Sequence, residues 1–100
     1  MTREVLSRGN IVEVADSIKE YIEGYIRGSS VEIEEMVIQH NAVHITLNYK
    51  YLILDHVDME FYQKVAEKHN CKLAFHISPV YVPFNIPYLR IMLHFIPRTA

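Results

Sequence analysis

The side chains best suited to chemistry in this chain are its six histidines, ten Lys plus Arg and twelve Asp plus Glu. His44, His76 and His94 lie in stretches of alternating polarity, where a β-strand would point them to one side of a sheet. Three imidazoles with an open fourth position would suit Zn²⁺. The sequence contains no HExxH, no paired CxxC and no His-x-His, however, so neither a metal nor another cofactor is expected. His69 extends an apolar helical stripe and can face the dipole at that helix's C-terminal end.

Lys50, Lys72 and Arg90 share the same strand phase as the three histidines, with Tyr88 beside them. A basic, His-rich open sheet face carrying His44, Lys50, Lys72, His76, Arg90 and His94 would hold phosphates, with Tyr88 as a stacking platform for single-stranded nucleic acid. The bland reading is an ordinary solvated face, or a face buried by a second copy of the chain. The aromatic and basic strand motifs of recognised nucleic-acid modules are missing, so this reading is the alternative rather than the lead.

Catalytic patterns are also missing. There is no GxSxG, and three glycines leave little scope for a phosphate-cradling loop. Cys71 opens a strand on its inward phase and reads as a small core residue, not a nucleophile. Glu32, Glu34 and Glu35 cluster along one segment, while Asp55 or Asp58 can cap a helix. These are surface and capping roles, and no enzyme activity is expected.

The segment Ser78–Pro87 has a different character. Three prolines stiffen it and keep it out of a central strand, yet Val80, Tyr81, Val82, Phe84 and Ile86 are apolar where a connection normally faces water. Either it folds back and completes the core, or it projects as an arm that a partner buries; Tyr81-Val82 could also continue the third strand, making a long hairpin arm with its turn near Asn85. Val80, Tyr81, Val82, Phe84, Ile86 and Tyr88 are then the expected interface residues.

The elements that must position these residues are read from periodicity. Ile11, Val14, Ala15, Ile18, Tyr21, Ile22, Tyr25 and Ile26 make a helical stripe, so a helix is expected over 11–27. Asn10 and Glu13 resemble a capping box and Gly28 a left-handed stop; Gly24 is tolerable inside the helix if packing there is close. Val31 to Gln39 alternates with a phase slip at Glu34–Glu35, which predicts a β-bulge. A tight reversal at His40-Asn41-Ala42 leads into a second alternating run from Val43 to Tyr51. With Asn41-Ala42 as the turn, Ile38 would face Ile45 and Met36 would face Leu47. A second helix carries Val57, Phe61, Val65 and His69 and stops at Asn70; Cys71–Ile77 and Tyr88–Ile96 are two more strands, closed by Pro97.

The order αββαββ predicts a two-layer α/β sandwich: a four-stranded, mostly antiparallel sheet with both helices on one face. If residues 2–7 add a first strand, a ferredoxin-like βαββαβ order with one extra strand is the alternative. One hundred residues, half of them apolar and 22% charged, make a single domain spanning 1–100. No apolar run approaches the ~20 residues of a membrane span, and the first residues lack the apolar core of a signal peptide. With one cysteine, a cytoplasmic protein with no membrane partner is expected.

The net charge of −2 would become +4 with every histidine protonated. Two helices can cover one sheet face, but Val80, Val82, Phe84, Ile86, Met92 and Ile96 still need shelter. The leading expectation is therefore a small non-enzymatic protein that self-associates as a homodimer, through its Pro-rich arm foremost, with the last strand or the open sheet face as the other available contacts.

Overall fold

A computed structural model describes residues 8–50 and 54–98. The elements run α1 (Arg8–Ile26), β1 (Val31–Gln39), β2 (Ala42–Lys50), α2 (His56–Lys68), β3 (Cys71–Val80) and β4 (Tyr88–Pro97). The strands form one fully antiparallel sheet in the order β1-β2-β4-β3. The two-layer αββαββ sandwich is thus the observed architecture. The ferredoxin-like alternative turned on residues 2–7, which lie outside the described residues. Among the described residues, no helix is long and apolar enough to cross a membrane.

The core follows from two periodicities meeting. Ile11, Ala15, Ile18, Ile22 and Ile26 make the buried stripe of α1, and Tyr62, Val65 and Ala66 that of α2. They close on Val43, Ile45, Leu47 and Tyr49 of β2, Ile91, Leu93 and Phe95 of β4, and Cys71 of β3. Full burial of each large aliphatic or aromatic side chain contributes roughly 1.5–3 kcal/mol. The central strands supply most of this layer, and the edge strands β1 and β3 only flank it.

Several local expectations are corrected. The first helix begins at Arg8, so Asn10 lies inside the opening turn instead of capping it; once the apolar stripe has nucleated a helix, extending it by a turn costs little. Tyr21 is exposed, with its ring edge-on to His69 and under the Lys68 ammonium. Gly24 has no close neighbour: a Cβ there would meet nothing within 4 Å. Gly28 does adopt the left-handed stop, at φ 80°.

The hairpin turn is His40-Asn41, both left-handed at φ 54° and 56°, with Ile38 opposite Val43 and Met36 opposite Ile45. A two-residue turn of this kind needs positive φ at both centres, which Asn and His tolerate better than Ala42. The shift is two residues along the strand, so every side chain keeps its predicted face. The bulge lies between Ile33 and Glu35, where the phase slipped.

In α2, Asp55 is the cap and accepts from the Val57 amide at 3.0 Å. Val57 is half exposed. Positions four apart advance about 40° per step, so the row Val57, Phe61, Val65, His69 cannot stay on one face. β3 is also longer than expected. Ser78, Pro79 and Val80 pair with Arg90, Leu89 and Tyr88, which shortens the connection to residues 81–87. Pro79 is tolerated because β3 is an edge strand.

Candidate functional site

Three regions bring chemically notable side chains together. The first is the tip of the β3–β4 hairpin. Among the described residues β2 pairs with β4 up to Lys50–Tyr88, and residues 81–87 form the tip of the β3–β4 hairpin. The Asn85 amide donates to the Val82 carbonyl at 3.1 Å, with Pro83 second and Phe84 third in the turn at φ 63°. Pro at the second position and positive φ at the third define a type II turn, whose third position normally belongs to Gly. Phe84 occupies it instead and is fully exposed, flanked by Tyr81 at 73% and Ile86 at 65% exposure. Val82 is exposed too, whereas Val80 and Tyr88 form the last rung of the ladder and are half-buried. Of the six expected interface residues, four therefore lie out on the arm and two at its base. The arm projects; it does not fold back into the core.

The second region is the sheet face opposite the helices. Cross-strand pairing places His44 beside His94, Asn48 beside Arg90, and Lys50 beside Tyr88, with Lys72 and His76 on β3. All six residues expected there share the face. β1 runs along the border of this face and brings carboxylates to it. Glu32 pairs with Lys50 at 3.7 Å and Glu34 with Arg90 at 3.4 Å. Arg90 also donates to the Tyr88 hydroxyl and lies over its ring.

At the centre of this face His44 and His94 join Nδ1 to Nδ1 at 2.7 Å, and His44 Nε2 lies 3.2 Å from the Gln39 carbonyl. A carbonyl only accepts, so His44 carries its proton on Nε2, and the neutral pair shares the proton on His94 Nδ1. Burial, with His44 and His76 nearby, holds His94 below its ordinary pKa. The pair lacks a converging third ligand: among the described residues no group of three or more His, Cys, Asp or Glu is placed to hold a metal ion.

The third region is a polar cluster that the sequence reading did not assemble. Asp58 accepts from Tyr25 at 2.6 Å and from Tyr49 at 2.7 Å, and the Tyr49 hydroxyl meets that of Tyr62 at 2.5 Å. The Asp58 bond pushes the Tyr25 hydroxyl up to about 12, and burial raises Tyr49 and Tyr62 as well. The signal was present in the sequence. Three tyrosines on inward phases each need a partner for the hydroxyl, and an acid at the start of α2 can serve more than one. These hydroxyls are held protonated, so the cluster locks α1 and α2 onto β2 and offers no proton donor near neutral pH.

His69 is likewise structural: its Nδ1 donates to the Val65 carbonyl and its Nε2 meets the Ser17 hydroxyl, both at 2.7 Å. Cys71 is buried, as expected, and burial raises its thiol pKa. No protein-family model matches the chain, and no curated protein or solved structure shows significant similarity to it.

Proposed function

We propose that this chain is a small non-enzymatic module that associates with a second copy of itself through the β3–β4 arm. The observation that carries the reading is Phe84, a fully exposed aromatic side chain at a left-handed position. Exposure forgoes the burial free energy of a large ring, and positive φ adds backbone strain of order 1 kcal/mol. Gly would avoid both. A residue that is unfavourable twice over in the isolated chain is accounted for if a partner buries it.

The surroundings support the same reading. From Ile77 to Leu89 there is no Asp, Glu, Lys or Arg, so the arm can be desolvated without stranding a charge. The nucleic-acid alternative has less support, since Lys50 and Arg90 are already paired with glutamates and only Lys72 remains of its three expected cations.

Light scattering on the eluting full chain tests the proposal. Wild type is expected at twice the 11.8 kDa chain mass, and the dimer should resist added salt. Phe84→Gly relieves the turn, so it should elute as a monomer and, at dilutions where wild type is also monomeric, unfold at the same or higher denaturant concentration. A wild-type chain that stays monomeric at every concentration would overturn the reading, as would a Phe84→Gly variant that remains fully dimeric.

A further inference from the structure

The arm's counterpart can be identified on the same molecule. Beside α2, the core-side face of β3 is left partly uncovered, forming a groove of about 520 Å³. Met59 and Gln63 of α2 and Leu73 and Phe75 of β3 line it, with Phe75 52% exposed. Met59, Leu73 and Phe75 give it an apolar surface, and Glu60, Lys64 and Glu67 of α2 line it as well, so an uncharged aromatic tip brings no charge of its own into the groove. Resting on the self-association reading above, we propose that the arm tip of one copy seats in the α2–β3 groove of a second copy, which returns the same contact.

Three features favour a second copy as the occupant. The first is reciprocity: groove and tip lie at opposite ends of one edge strand. Phe75 lies seven positions before Val82, which opens the turn carrying Phe84, roughly 23 Å of extended chain. Two antiparallel β3 strands related by a two-fold axis near Pro79 would therefore bring each Phe84 to the other copy's Phe75. That arrangement is self-complementary and closes at two copies.

The second is area. Tyr81, Val82, Phe84 and Ile86 on the arm, with Phe75 and Ile77 on β3, leave on the order of 700 Å² of apolar surface per copy, close to what one partner contributes to a stable interface. The third is Pro79 itself. It has no amide hydrogen, so the strands cannot form an unbroken ladder at the crossing point, and the contact must come from side chains at the two ends.

Cysteine cross-linking of the full chain separates the possibilities. Phe84→Cys and Phe75→Cys proteins are mixed and oxidised, with the native Cys71 buried and out of reach. The expected product is a mixed dimer linked between positions 84 and 75, while Phe84→Cys alone gives little covalent dimer. Phe75→Glu should weaken association at least tenfold with an unchanged circular dichroism spectrum, and Val57→Glu, outside the groove, should leave it unaltered.

A predominant Phe84→Cys self-link, or no mixed link while light scattering still reports a dimer, overturns the groove and leaves self-association standing. A wild-type monomer overturns both. If Phe75→Glu does not fold, the cross-link alone decides.

Discussion

At the scale of single residues, the His44–His94 pair is a contact whose strength depends on pH. Neutral, it shares one proton between two Nδ1 atoms; with both rings charged, both atoms would be donors and the bond could not form. His94 has a folded pKa below its ordinary value of 6.5. Between those two values the unfolded chain binds a proton that the folded chain refuses. Stability should therefore fall as pH drops below about 6.5 and level off beneath the folded pKa. His76 and Lys72 on the same face act with the effect, and Glu32, Glu34 and Glu35 along the β1 border act against it. Urea unfolding of wild type and His94→Asn at pH values from about 7 down to about 5 tests this. The wild-type midpoint should decline more steeply, and parallel profiles would exclude the pair as the cause. The Tyr25–Asp58–Tyr49–Tyr62 cluster is the steadier counterpart, since none of its hydroxyls titrates near neutral pH.

Elements show which packing requirements are strict. Gly24 lies in α1 with open space where a Cβ would go and no positive φ to excuse it. Gly24→Ala should stabilise the fold by about 0.5–1 kcal/mol through helix propensity alone, measured as an upward shift of the urea midpoint at constant m-value. Destabilisation would mean that the helix surface there is not free. The same element shows what periodicity can convey. The stripe through Ile11, Ile18 and Ile22 was legible because burial imposes one period over several turns. Tyr21 was misplaced because a residue on the edge of that stripe is decided by its neighbours, here His69 and Lys68.

Strand phases were legible for the same reason, down to the bulge at Glu34. The hairpin register was not, because it depends on which two residues accept left-handed backbone. The arm was legible as an apolar, proline-rich oddity. Its exposure, and the glutamates bordering the opposite face, required the strand order, which alternation along one strand does not encode.

The described chain has a radius of gyration of 14.5 Å, against about 13 Å for a compact domain of this length, and extents of 56 × 24 × 19 Å. The long axis fits the extended β3–β4 hairpin. If association shelters the arm, folding and dimerisation share one equilibrium, and the melting temperature should rise with protein concentration. Phe84→Gly should melt at one temperature regardless of dilution. A wild-type melting point independent of concentration would uncouple the arm from stability.

An antiparallel sheet with two smooth, unmodified borders would be a template for fibrils, each border recruiting the next molecule without limit. Here an extra glutamate kinks one border and a proline interrupts the other. Strand-by-strand stacking is obstructed on both sides. A chain that carries so oily a projection thus meets an obstacle to amyloid growth at each border of its sheet.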